Sequence, residues 1–300
     1  PPRNEYIPTN LALETPMEST LDKNDPDAFK PLLVVNEHNG GLRLWHCLDL
    51  RFAIPKVVIT TRIASMRTQD SAQNAALTGL LVRLARDALQ EEQYMASMAS
   101  LDLHLSATDV SIDLCVAGYS EKANHLYEVG FKAFYEACRD MGDTKLFAED
   151  IIRRQYEQLL KDLRNVGLSA SSSAKNARLC ALKLDRYSSE EQLNALLALN
   201  IEDDYSKLRS LLQQYLASFL SEVYIEGLCQ GNCTVTSVEQ LSSKIITIVQ
   251  GVSKMSKIYC PLQPILKVPT SQKHIILNVA PKNPNEENCA VEVYYQLGTF

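Results

Sequence analysis

Apolar positions change their spacing several times along the chain, and each change predicts an element. Residues 42–52 (LRLWHCLDLRF) and 57–63 (VVITTRI) are rich in β-branched and aromatic side chains and are separated by Pro55, which predicts two strands. From 71 to 99 the apolar residues Leu77, Leu80, Leu81, Leu84, Ala88 and Leu89 recur at intervals of three and four, the pattern of a helix with one buried face. Val110, Ile112, Leu114 and Val116 then alternate with Ser111, Asp113 and Cys115. With the run 101–106 and the connection Ala107-Thr108-Asp109, this predicts an antiparallel hairpin.

Helical spacing dominates residues 121–219, with breaks expected at Gly142, at 167–173, around Tyr187 and near Asn200. Ser188 and Glu191 have capping-box spacing and place a helix start. Tyr205, Leu208, Leu211, Leu212, Tyr215, Leu216 and Phe219 form a continuous stripe that should pack on a sheet. A strand at 223–228 should end at the turn Gly231-Asn232. Thr236 with Glu239 should cap a helix running to 255 on Leu241, Ile245, Ile248, Val249 and Val252. Beyond Pro261 and Pro264, the runs 265–268, 275–279 and 290–295 have strand character.

Strands in hairpins and helices in blocks give an α+β class: a mostly antiparallel sheet with helices on one face. Three parts are expected. Residues 1–30, rich in Pro, Asn, Asp and Thr, read as an extended linker; 31–259 form the main domain; and 260–300 are the first strands of a second, incomplete sheet domain. The Pro-rich start without Met and the stop just after a strand-like run suggest a piece of something longer.

Of the 300 residues, 46% are hydrophobic and 22% charged, ordinary globular values that argue against bulk disorder. A net charge of −6 is opposite in sign to the basic surface that phosphate backbones attract, so nucleic acid is excluded as a partner. No apolar run reaches the ~20 residues of a membrane helix, and the N-terminus lacks the features of a signal peptide. Eight cysteines scattered through apolar segments suit reduced thiols, which points to the cytoplasm and leaves an organelle open.

Each candidate for chemistry has a plainer alternative. His125-Leu126-Tyr127-Glu128-Val129 approximates H-x-x-E-H, but Val129 stands where the second imidazole must be and cannot donate a lone pair. Cys229 and Cys233 lack two further ligands nearby in sequence and read as buried thiols. Ser171-Ser172-Ser173 have no G-x-S-x-G setting, and Gly40-Gly41 has no phosphate-loop pattern. The acidic pairs Glu91-Glu92, Glu190-Glu191, Asp203-Asp204 and Glu286-Glu287 suit solvated helix ends and turns. Trp45, Tyr294 and Tyr295 either line a peptide groove or fill a half-buried strand face, the latter being favoured. No catalytic, cofactor-binding or metal-ligating residue is assigned.

A resemblance rests on six stretches in order: Asn4-Glu5-Tyr6-Ile7-Pro8-Thr9-Asn10-Leu11; Leu44-Trp45 with Asp49, Phe52, Pro55 and Lys56; Asp87-Ala88-Leu89 with Glu91 and Tyr94; Gly118-Tyr119-Ser120-Glu121-Lys122; Glu226-Gly227-Leu228 with Gly231-Asn232; and Glu292-Val293-Tyr294-Tyr295-Gln296. In these the chain resembles the insulysin/pitrilysin family of zinc metallopeptidases. The resemblance implies a parent of four similar α+β domains, paired as two bowl-shaped halves around a peptide chamber. This chain would supply the linker, the third domain and the opening strands of the fourth. The family's zinc motif belongs to the first domain, so zinc is expected in the parent's N-terminal half, where a metal-bound water would attack the peptide. Here the equivalent helix, from about Ser71, would carry Leu80, Leu81, Val82, Arg83 and Leu84, which cannot hold zinc. The implied partners are the N-terminal catalytic half and peptide substrates, with homo-oligomerisation of the parent left open; no membrane is implied. The competing reading is a free-standing peptide-binding or assembly module on the same scaffold. An independent hydrolase would need a site the sequence does not display.

Overall fold

The structure is a computed structural model and describes residues 3–14, 29–139, 147–184, 186–201, 204–256, 265–269 and 274–297. Among the described residues, seven strands form one sheet: β1 (Leu32–Glu37), β2 (Leu42–Leu48), β3 (Lys56–Ala64), β4 (Leu101–Ala107), β5 (Ser111–Tyr119), β6 (Glu222–Gly231) and β7 (Lys254–Met255). Their order is β1-β2-β6-β3-β5-β4, with β7 beside β6. β2 and β6 run parallel, as do β6 and β7, and the other neighbours are antiparallel. The mostly antiparallel α+β class read from the sequence is therefore the observed one.

Alternation along the strands decides which face is covered. On β3, Val57, Ile59, Thr61 and Ile63 are buried while Val58, Thr60 and Arg62 are exposed. β5 buries Ile112, Leu114 and Val116, and β4 buries Leu101, Leu103 and Leu105. Onto this face pack α1 (Ala72–Ala88), α3 (Ser120–Arg139), α7 (Tyr205–Ser221) and α8 (Val235–Val249). A further layer, α4 (Glu149–Asn165) and α6 (Ser189–Leu197), lies on α1. Because α1 is sandwiched between β4 and that layer, it buries Leu77, Leu80, Leu81, Val82, Leu84 and Ala85, more than the single face its spacing predicts. The expected stripe on α7 does face the core, where the Tyr215 and Thr78 hydroxyls meet at 2.6 Å.

Local chemistry sets the boundaries. Ser188 and Glu191 form the expected capping box of α6. The helix expected over 71–99 is two, α1 and α2 (Gln90–Met98), because the backbone leaves helical geometry at Leu89 (φ −93°, ψ 5°); the apolar period continues since both halves face one core. Thr234, not Thr236, caps α8 by accepting from Ser237 N–H, and α8 ends at Val249 ahead of Gly251 (φ +79°) rather than reaching 255. β1 was not expected: only Val35 of its six residues is buried, so it lacks the alternation that marks a half-buried strand.

The tail differs most from expectation. Residues 274–297 form no strand, and Ile276, Val291, Val293 and Tyr295 are exposed. Strand composition cannot create a ladder without a neighbouring strand, and among the described residues none is offered to these runs. The described residues from 265 onward meet α5 (Ala170–Leu182) and its flanks: Leu266 N–H donates to Leu182 O at 2.7 Å, Lys282 N–H to Gly167 O at 2.9 Å, and Arg178 pairs with Glu292 at 2.7 Å. The break expected at Gly142 lies outside the described residues, as do Asp203 and Cys260.

Candidate functional site

The best-developed polar arrangement is a dock for the N-terminal segment. Residues 3–14 form no helix or strand, so their backbone groups need partners from elsewhere. At one end Tyr6 is 1% exposed and donates to Glu92 Oε2 on α2 at 2.5 Å; its ring stacks on His125 of α3 at 5.8 Å. Asn4 Nδ2 donates to Met95 O at 2.7 Å. Farther along, the Glu121 carboxylate at the start of α3 accepts from Thr9 N–H and Asn10 N–H, each at 2.6 Å, and from the Thr9 hydroxyl at 3.0 Å.

These donors, the Asn10 N–H first, hold the Glu121 pKa down to about 2, against an ordinary carboxylate value near 4.5. A depressed carboxylate pKa supplies stability above the unfolded value that is lost as pH falls through the folded one. The Glu121 contact is therefore intact at neutral pH and fails between about pH 4.5 and 2.

At the other end stands Asn232, which is 2% exposed. Its Oδ1 accepts from Glu14 N–H at 2.7 Å, and its Nδ2 donates to Ala12 O at 3.2 Å and Ser120 Oγ at 2.9 Å. Its own N–H donates to Lys56 O at 2.7 Å. Such a buried amide must be fully partnered, and here the segment supplies two of its partners. Gly231 makes the turn possible: it has φ +120°, and a Cβ there would lie 2.4 Å from Lys56 O. Gly118, at the matching end of β5, has φ +143°, and its Cβ would lie 2.5 Å from Ser100 O.

Beneath residues 10–14 is a small cleft lined by Val57, Ile59, Asn124, Cys229 and Cys233. Burial pushes both thiols up to about 12, so they are protonated at neutral pH and poor as nucleophiles or metal ligands. His46 is also committed, its Nε2 donating to Cys233 O at 2.9 Å. Cys47, Cys115, Cys180 and Cys289 are free thiols as well.

The tempting helix motif is disassembled by its surroundings. His125 stacks on Tyr6 with Nε2 3.7 Å from Glu5, while the Glu128 carboxylate binds Lys244 at 2.6 Å and Lys132 at 3.2 Å. On α1, Leu80, Leu81, Val82 and Leu84 are at most 3% exposed, and Arg83 is held by Asp162 at 2.7 Å. Among the described residues, no three His, Cys, Asp or Glu side chains gather where they could hold a metal ion. This donor set does not fit a hydrolytic zinc site, which needs three protein ligands and an open position.

Other residues weighed from sequence have structural partners. Ser173 Oγ donates to Gly167 O at 2.9 Å, and a Cβ on Gly41 would lie 2.7 Å from Ser256 N. Trp45 Nε1 donates to Glu226 at 3.0 Å on the sheet face away from the helices. Tyr295, expected on a half-buried face, is instead 78% exposed, because its run has no sheet to lie on. Glu92, expected as half of a solvated acidic pair, instead accepts from buried Tyr6; Glu121 and Asn232 were not singled out as site residues, although they belong to the stretches that carry the family resemblance. The signal available was the polar Asn and Thr content of residues 4–10, which has no packing role of its own.

Comparison with known proteins gives this geometry a context. A family model described as the middle or third domain of peptidase_M16 matches residues 1–195. Human nardilysin is 29% identical over 300 residues, covering 100% of this chain and 24% of that protein. The Arabidopsis thaliana insulin-degrading enzyme-like 1, peroxisomal, is 26% identical over 314 residues, covering 99% and 28% respectively. The crystal structure of pitrilysin superposes with a TM-score of 0.68 at 17% identity, over 85% of this chain and 24% of that one, a likeness of fold. The chain thus spans about a quarter of the length of these relatives.

Proposed function

Because this chain belongs to the peptidase M16 family, whose middle or third domain matches its first 195 residues, we propose that it is a non-catalytic section of a zinc metalloendopeptidase that degrades peptides. In this reading residues 1–30 are the linker, 31–259 the third domain, and 260–300 the start of the fourth. The domain forms part of the wall of an enclosed substrate chamber. The parent's zinc and the residues that activate its water lie in the N-terminal half, which is this domain's partner. Peptides are the parent's substrates, and its compartment is the cytoplasm.

One observation carries the reading. The helix that the family resemblance makes the counterpart of the metal-bearing one is filled with Leu80, Leu81, Val82 and Leu84 and is covered by helices on its far side. Opening a metal site there would require removing core side chains, each worth about 2–5 kcal/mol. The division into parts is supported by the docked segment at one end. At the other, the tail touches the α5 region and joins no ladder of the seven-stranded sheet.

The test is peptide cleavage by the isolated chain supplied with zinc and unstructured peptides. No metal-dependent hydrolysis should be seen, and coexpression with the parent's N-terminal half should bring cleavage. Cleavage by the chain alone that a chelator abolishes would overturn the proposal. Binding of peptides without any activity in the presence of that half would favour a free-standing binding module.

A further inference from the structure

Residues 10–14 do more than dock: they roof a pair of thiols. Asn10, Ala12 and Glu14 line one side of the small cleft, and Cys229 and Cys233 line the other. The two thiols are 3% and 8% exposed, whereas Cys115, on the sheet face away from the helices, is partly open to solvent. They flank the Gly231-Asn232 turn, and Asn232 is the residue whose amide grips Ala12 O and Glu14 N–H. Cover and clamp are therefore neighbours in the chain.

Cys233 is the outer thiol of the pair, and its backbone is held on both sides. Its N–H donates to Gly231 O at 3.0 Å, and its carbonyl accepts from His46 Nε2 at 2.9 Å. With the turn fixed, a group added to the Cys233 sulfur enters the space that residues 10–14 fill. Burial first, then the neighbouring Cys229, Cys47 and Glu14 side chains, push this thiol up to about 12. Departure of the segment removes Glu14 and part of the burial together, so the reactive thiolate becomes populated.

We propose that Cys233 is a modification site gated by residues 3–14: the docked segment covers the thiol, and its release lets the thiol exchange with a small-molecule disulfide of the glutathione type. The Cys233 thiolate attacks one sulfur of that disulfide, a new S–S bond forms, and the old S–S bond breaks. The second half leaves as a thiolate and takes up a proton, equal to the one Cys233 gave to solvent. One disulfide is consumed and one is made, so no other oxidant is required. The group left on Cys233 occupies the cleft and keeps the segment out. This inference does not depend on the peptidase reading.

The test is disulfide exchange on the full 300-residue chain, with oxidised glutathione as the probe and peptide mass spectrometry as the readout. Where opening is fast and reversible, the modification rate follows the open population. In Tyr6→Ala, Cys233 should be modified at least about tenfold faster than in the unaltered chain, while Cys115 reacts at one rate in both. Glu121→Ala removes the acceptor of the Thr9 and Asn10 N–H groups and should act in the same direction. It decides the matter if Tyr6→Ala does not fold. Linkage requires the reverse effect in the unaltered chain: once Cys233 carries glutathione, the Glu14 amide should exchange at least about tenfold faster, and a reductant should restore its protection. Cys233→Ser should keep that protection in the presence of the disulfide, and its loss there would overturn the assignment to Cys233. Equal Cys233 modification in the unaltered chain and in variants whose Thr9 and Asn10 amides exchange freely would overturn the gate. So would a Glu14 amide that stays protected in the modified chain.

Discussion

Replacing Tyr6 with Ala should detach the N-terminal segment while leaving the domain folded. The side chain is 1% exposed and wedged between α2 and α3, so its removal forfeits apolar burial together with the hydrogen bond to Glu92. Large-to-small changes of this kind cost about 3–5 kcal/mol. Taking the lower figure, about 3 kcal/mol, the open population of the segment rises roughly 100-fold. Amide exchange should show this at Thr9, Asn10 and Glu14, whose N–H groups are protected by Glu121 and Asn232, while β3 and β5 keep their protection. Acidification should approach the same state by another route: as pH falls from about 4.5 to 2 and Glu121 gains its proton, the Thr9 and Asn10 amides lose their acceptor before Glu14 does. Equal acceleration of exchange across the sheet would show instead that the segment and the domain unfold together.

The second large effect is expected at Gly231→Ala. Here the cost arises in the backbone: φ +120° is a conformation that an L side chain rarely adopts, and the new methyl would stand 2.4 Å from Lys56 O, an atom fixed in the sheet. Backbone strain of about 1–3 kcal/mol adds to an overpacking penalty of similar size, so a loss of at least about 2 kcal/mol is expected in denaturant unfolding. Lys56 O also receives the Asn232 N–H, so the variant should disturb the amide that clamps residues 12–14 as well as the sheet. Gly79 is the control, with open space where a Cβ would go; its replacement by Ala should leave the midpoint unchanged or raise it slightly. A Gly231→Ala variant as stable as the parent would show that the turn can relax and that this glycine is not required.

The contrast between these positions explains what could be read from sequence. β3 and β5 were legible because each is half-buried, so Val57, Ile59, Ile112 and Leu114 alternate with residues that meet solvent. The α6 start was legible because its cap is entirely local, Ser188 and Glu191 answering one another across three residues. Edge strand β1 was missed because one buried residue leaves no period to detect. The end of α8 was misplaced because Val252 keeps the helical spacing past Gly251, whose positive φ ends the helix.

The dock was the least legible feature. Glu121 lies 111 residues from Asn10, and Asn232 lies 218 from Glu14; no local pattern links a carboxylate or an amide to a partner that far away. The tail was misread for the opposite reason. Runs 275–279 and 290–295 have the composition of strands, but a strand exists only with a neighbour to bond; neither run joins a ladder, and 290–295 instead meets Arg178 of α5 through Glu292 and Tyr294. The apolar identity of α1 was plain from the start. Its consequence, a helix buried on two sides with no room for ligands, required the second helical layer to be placed.

Zinc titration of the isolated chain by calorimetry bears most directly on the proposal that this member of the peptidase M16 family carries no metal chemistry of its own. No saturable uptake is expected beyond weak, nonstoichiometric surface binding, with thermal stability unmoved by zinc. Uptake of one equivalent, abolished by changing side chains of this chain and accompanied by a rise in Tm, would contradict it.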